Sequence, residues 1–360
     1  MRAIPRALVH RLAFANARSD GRRIRRPFRF PGRRTRSLAS RGCGSSVDVG
    51  HNGPMPASAS ASDAAPLSRL RPRDALNILV AVATWLLVIA LSDPTIDVSD
   101  PFSGSIVTGQ DARSYYGLDL GDLYTGRTAW NTIGAYPYSP AFALLVYPLN
   151  LLPWTAFVAA WTALLIGAVW LLTGRDLFLL GMAVGAMEIA GGNISLLLAL
   201  AIVWGFRWPG TWAFVLLTKI TPGAGLLWFA LRREWRPLSI ALGFTAAVVA
   251  VSFVLMPGAW RDWISLLAAN TGKGGTWAAI PVPLLVRGPI GVALIAWGAF
   301  RDQRWVVPVG AMLCLPALWY GSLSMLLGVI PLTTPEERAR GWVRFKALVR
   351  SPRAAVGRAE

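Results

Sequence analysis

The chain is divided into apolar blocks of roughly 15 to 22 residues, and that block length limits its fold more than any other feature. A helix rises about 1.5 Å per residue, so about 20 apolar residues cross the hydrocarbon core of a bilayer. Of the 360 residues, 54% are hydrophobic and only 15% are charged. Soluble chains carry about 25% charged residues. The pattern predicts an all-α polytopic membrane protein with about ten transmembrane helices.

Charge gives the expected orientation. The formal net charge is +18, but 16 arginines fall in residues 1–73, and six more, with Lys346, follow Pro335. Basic ends of this kind point to cytoplasmic tails rather than a folded nucleic-acid-binding domain, and no nucleic-acid partner is expected. The expected layout is a disordered basic tail over 1–73, a transmembrane domain over 74–332 and a second basic tail over 333–360. Both histidines, His10 and His51, lie in the first tail, so the membrane body has no histidine for metal binding or catalysis. Cys43 and Cys314 give no disulfide framework.

The spans read from the sequence begin with Ala75–Leu91 and Trp154–Thr173. They continue as 177–190, 192–206, 237–256, 281–300, 305–320 and 322–332. The block 209–231 contains Lys219-Ile220-Thr221-Pro222. It reads as one kinked helix or, better for the charge rule, two short helices meeting there. Between Tyr138 and Leu152 the prolines Pro140 and Pro148 predict short interfacial helices rather than a straight span. This arrangement puts Arg175, Arg207, Arg232, Arg233, Arg236, Arg301 and Arg304 on the cytoplasmic side. It leaves external loops at 93–137 and 257–280.

The first of these loops is the expected catalytic element. An interval of about 45 residues without its own periodicity is long for a connector, and such loops on rigid scaffolds carry function. It holds Asp93, Asp97, Asp100, Asp111, Asp119 and Asp122 against Arg113 and Arg127. Asp111, four residues before Tyr115-Tyr116, suits a general base that deprotonates a sugar hydroxyl. Asp119 and Asp122 read as solvated acids. Lys219 and Arg287 are cations inside apolar blocks, where charge is costly and usually functional. Each either binds a phosphate or snorkels to the interface. Asn193, near Glu188 at a helix junction, reads equally as a ligand or a plain cap.

In order, the chain shows Asp111 with Tyr115-Tyr116, Leu123-Tyr124, Tyr136-Pro137-Tyr138-Ser139-Pro140, Pro148 and Leu152-Pro153-Trp154. Gly192-Asn193, Lys219-Ile220-Thr221-Pro222 and Arg232-Arg233 follow. This order resembles glycosyltransferase family 87, the multi-spanning mannosyltransferases of the GT-C superfamily, over roughly residues 75–330. The resemblance implies a polyprenyl-phosphate sugar donor and a lipid-linked or glycan acceptor, with inverting transfer of a hexose, mannose in the family, at the extracytoplasmic face of the cell membrane. It implies Asp111 as catalytic base, with Tyr115, Tyr116, Tyr138, Asn193, Lys219 and Arg287 as substrate-binding residues. No metal or cofactor is implied. Two departures stand out: the body lacks the histidine that some relatives use, and Gly192-Asn193 replaces a commoner Gly-Gln. Two other readings fit the residues, a lipid or small-molecule transporter with Lys219 and Arg287 lining its path, and a non-catalytic family member in envelope assembly.

Overall fold

The computed structural model describes residues 71–92, 108–124, 135–270, 280–334 and 336. These all belong to one unit, Pro66–Glu360. Most of the two expected basic tails, much of the expected external loop 93–137 and residues 271–279, including Lys273, lie outside the described residues. Every regular element among the described residues is helical.

Four helices are long and apolar enough to cross a membrane: α1 (Pro72–Ala90), α3 (Trp154–Thr173), α8 (Trp235–Leu255) and α10 (Leu284–Arg301). Their surfaces support a hydrocarbon surrounding. Leu79 on α1, Val254 on α8 and Leu285 on α10 are 63%, 78% and 88% exposed. In α8 only Ala241 and Ser252 are buried, so nearly its whole apolar girth faces outward. Such a helix is stable where the surroundings are themselves apolar.

The middle of the chain is built from shorter pieces. Ser139 caps α2 (Pro140–Asn150) by accepting the Phe142 N–H at 3.3 Å, and Pro140 occupies a first-turn position where its missing donor costs nothing. The sequence predicted several short helices here; one 11-residue helix forms and keeps Pro148 inside it. α4 (Phe178–Gly191) and α5 (Ser195–Gly205) follow, separated by a three-residue break. The block 209–231 is interrupted at the lysine as expected. α6 (Trp212–Thr218) ends there, and a 3-10 turn over Thr221–Leu226 leads into α7 (Leu227–Leu231).

Two expected features are corrected. Residues 257–270 are not loop but α9 (Pro257–Asn270), which buries Trp260, Trp263 and Leu266. With Arg261 and Asp262 inside only 14 residues it is less apolar than a span, so hydropathy alone gives no sign of it. The last pair of spans is also broken. α11 (Val306–Leu313) is eight residues long, and the chain then runs irregularly to a 3-10 stretch over Gly321–Gly328 and the short α12 (Val329–Leu332). Eight residues of helix rise only about 12 Å, well short of a bilayer.

Ion pairs define one end of the helical body. At the start of α1, Arg73 pairs with Asp176 at 3.4 Å and Asp74 pairs with Arg175, both partners lying in the α3–α4 turn. Arg232 after α7 reaches Asp302 at 3.1 Å and the Ala299 carbonyl at 2.9 Å. Arg304 lies over the Phe206 ring at 5.5 Å. The turn bearing Asp111 is bonded at the other end of α4, where the Gly109 N–H donates to the Ala190 carbonyl at 2.7 Å.

Candidate active site

The 3-10 turn Asp111–Tyr115 is fixed from both sides. Thr108 Oγ1 donates to the Val88 carbonyl at 2.5 Å, tying the turn to the end of α1. Beyond the turn, Asn150 Nδ2 donates to the Tyr115 carbonyl at 2.8 Å, tying it to the end of α2. Beneath it lies the α4–α5 break. Gly192 adopts φ +76°, and a Cβ there would fall 2.8 Å from the Ala112 Cβ. Only glycine combines that left-handed backbone with so close an approach. A Cβ at Gly191 would sit 3.3 Å from Asp111 Oδ2, so the carboxylate lies directly over this break. Trp161 Nε1 holds the break from α3 by donating to the Gly192 carbonyl at 2.7 Å.

A chain of hydroxyls and amides surrounds the carboxylate. The Tyr115 and Tyr138 hydroxyls are 3.1 Å apart, and Tyr115 reaches Asn193 Oδ1 at 3.5 Å. Asn193 Oδ1 also accepts the Ile194 N–H at 2.7 Å, which fixes the orientation of its amide and frees Nδ2 to act as donor. The Tyr115 ring is packed by Tyr138, Phe142 and Trp161, with centroids 5.3, 5.5 and 5.0 Å away. Burial raises the pKa of both phenols, so Tyr115 and Tyr138 stay protonated and serve as hydrogen-bond donors.

Lys219 enters from α6. Ser139 Oγ, one residue after Tyr138, donates to the Leu217 carbonyl at 2.5 Å and joins the start of α2 to the end of α6. The Lys219 ammonium acts electrostatically on both Asp111 and Glu188. Asp111 and Lys219 remain accessible, whereas Tyr115, Tyr138, Glu188 and Asn193 are buried. The arrangement is a recess with an acid and a cation at its mouth. The protein packed around the Asp111 carboxyl strips water from it and pushes it above the usual carboxylate range, while Lys219 and the Asn193 side chain pull it back down. A carboxylate so balanced is a stronger base than a solvated one and remains ionisable.

The structure therefore brings together five of the expected residues: Asp111, Tyr115, Tyr138, Asn193 and Lys219. Tyr116 is neighbouring, but its ring packs on α3 against Trp154 and Phe157 at 5.2 and 5.1 Å. Arg287 has other work. Its guanidinium donates to the carbonyls of Val282, Leu313 and Pro316 at 3.0, 2.7 and 2.7 Å, and the residue is 4% exposed. It satisfies one carbonyl ahead of α10 and two at the broken end of α11, contacts that Lys219 does not share. Glu188 was the residue not expected in the site. An acid inside the apolar block of α4 was the available signal, obscured because it stands close enough to Gly191-Gly192 to read as a loop residue.

A family-level sequence comparison matches residues 136–330 to glycosyltransferase family 87. The chain belongs to that family. It is a membrane glycosyltransferase. The matched stretch contains Tyr138, Glu188, Asn193 and Lys219; Asp111 lies ahead of it and joins the site through the contacts with Ala190, Gly191 and Gly192. No curated protein and no solved structure matches the chain.

Proposed function

We propose that this glycosyltransferase moves a hexose, mannose in the first test, from a polyprenyl-phosphate donor to a lipid-linked or glycan acceptor, with inversion and with Asp111 as general base. The observation that carries this reading is the joint approach of Asp111 and Lys219 to one recess. Transfer needs a base for the acceptor and a cation for the leaving group, and few other functions need both together.

In this reading the acceptor oxygen attacks the anomeric carbon from the face opposite the phosphate. Its proton passes to Asp111 as the new glycosidic bond forms. The bond from the anomeric carbon to the phosphate oxygen breaks, and the polyprenyl phosphate leaves with the electron pair. Lys219 is the cation that meets the charge developing on that phosphate. Tyr115, Tyr138 and Asn193 orient the carboxylate and offer donors to sugar hydroxyls.

A hydrocarbon substrate has surface to follow. An open groove of about 470 Å³ runs between α2 and α8, lined almost wholly by apolar side chains such as Leu144, Phe244, Val248 and Val251. Its α2 wall begins next to Ser139, which is bonded to α6 two residues before Lys219. The basic turns gather away from the Asp111 end of α4, and the positive-inside rule then favours an extracytoplasmic site in a multi-pass cell-membrane protein. The test is incubation of membranes with radiolabelled polyprenyl-phosphate mannose and a panel of acceptors, wild type beside Asp111→Asn. Label transfer that Asp111→Asn abolishes supports the reading; transfer at the wild-type rate by both would end it.

A further inference from the structure

We propose that Glu188 is a positioning residue of this site: it ties the α4–α5 break together beneath Asp111 and supplies the buried negative charge that Lys219 faces. The proposal rests on the reading of Asp111 as general base. Glu188 does its structural work with both backbone and side chain. Its carbonyl accepts the Gly192 N–H at 2.9 Å and the Asn193 N–H at 3.2 Å. Its Oε1 accepts the Ser195 N–H, an otherwise unmatched donor at the first residue of α5. One residue thus holds Gly192, on which Ala112 rests, and Asn193, which acts on the Asp111 carboxylate.

Capping alone does not require an acid. A Gln or Ser accepts an N–H as well, and a carboxylate 1% exposed is expensive to bury without a cationic partner. Here the partner is Lys219, which has no ion pair with a described residue closer at hand and lies within electrostatic reach of Glu188. The other groups facing Glu188 are Asp111, Tyr115 and Tyr138. The packing leaves room for the acid deliberately. A Cβ on Gly321 would fall 2.5 Å from Glu188 Oε2, so the 3-10 stretch Gly321–Gly328 lies against the carboxylate with no space to spare.

The charge and the cap are separable. Glu188→Gln keeps an oxygen for the Ser195 N–H and removes the charge, while Glu188→Asp keeps the charge and retracts it. In Glu188→Gln the plateau of kcat/KM with polyprenyl-phosphate mannose should fall about ten- to a hundredfold, the scale of one lost charge-assisted contact. The basic limb of its pH profile should move to lower pH, because the anion that helps keep Lys219 protonated is gone. Glu188→Asp should lower the plateau and leave the limb in place. Gly321→Ala, which moves the carboxylate without altering its charge, should cost activity in wild type and nothing further in a Glu188→Ala background. That pair carries the test if Glu188→Gln does not fold. A wild-type plateau and limb in Glu188→Gln, an unmoved limb in both Gln and Ala variants, or additive Gly321→Ala and Glu188→Ala effects would each overturn the proposal. Failure of the base itself has a different signature: Asp111→Asn would then stay active and no limb would belong to that acid.

Discussion

Gly192 and Ala112 meet so closely that a Cβ on the glycine would stand 2.8 Å from the alanine's own, at a backbone φ of +76°. This contact seats the turn bearing Asp111 on the α4–α5 break. Gly192→Ala should therefore displace the carboxylate while leaving the spans inserted. Left-handed backbone costs a non-glycine residue roughly 1–2 kcal/mol before the clash is counted. The expected result is a lower melting temperature in detergent together with a loss of transfer larger than that of Gly174→Ala, since a Cβ at Gly174 meets nothing within 4 Å although its φ is +62°. Equal losses in the two variants would show that backbone strain, rather than the contact with Ala112, is what matters.

Asp111 should be the one acid of its segment that transfer cannot do without. Loss of a general base typically costs about 10²–10⁴ in rate. Asp119 is exposed, and its Oδ1 accepts the nearby Gly121 N–H at 2.8 Å, a local turn contact. Asp119→Asn and Asp122→Asn should stay within a few-fold of wild type, by the general tolerance of surface substitutions. A dead Asp119→Asn beside an active Asp111→Asn would move the base to the other carboxylate.

Lys219 has two separable effects. Its charge lowers the Asp111 pKa, so Lys219→Met should shift the acidic limb of kcat/KM to higher pH. As the proposed partner of the leaving phosphate it should contribute roughly 1.5 to 3 kcal/mol, about ten- to a hundredfold in donor use. Lys219→Arg should recover part of both. A variant with the wild-type limb and the wild-type donor dependence would remove the lysine from the reaction.

Arg287→Met should act on stability and not on donor use. It leaves three partly buried carbonyls, those of Val282, Leu313 and Pro316, without their donor. Each orphaned group costs on the order of 1–3 kcal/mol. The melting temperature should drop while KM for the donor, measured per folded molecule, holds. A raised KM at unchanged stability would return Arg287 to the substrate.

Orientation is tested by labelling. Single cysteines at Ser103 and Thr276, both outside the described residues, should react with an impermeant reagent from outside the cell, and one at Arg233 should not. Labelling of all three from one side would refute the assignment of the Asp111 end to the extracytoplasmic face.

The sequence by itself determined what depends on neighbours along the chain. The four long spans follow from runs of apolar residues, and α3 begins and ends where the run does, at Trp154 and Thr173. The break at Lys219 and the cap at Ser139 are equally local, because a charge, a proline or a hydroxyl acts on the backbone within a turn of itself. Asp111 and Asn193 could be singled out as residue types suited to the chemistry. Tertiary structure decided which of them meet. The identical reasoning applied to two cations in apolar blocks gave one answer for Lys219 and Arg287, yet Lys219 faces two acids while Arg287 serves three carbonyls. Which carbonyls lack donors depends on where α11 stops and what packs beside it, and no periodicity records that. Glu188 joined the site for the same reason. Its carboxylate is given meaning by Ser195, by Lys219 and by the missing side chain of Gly321, and the last two lie far along the chain, brought near only by the packing of the helices.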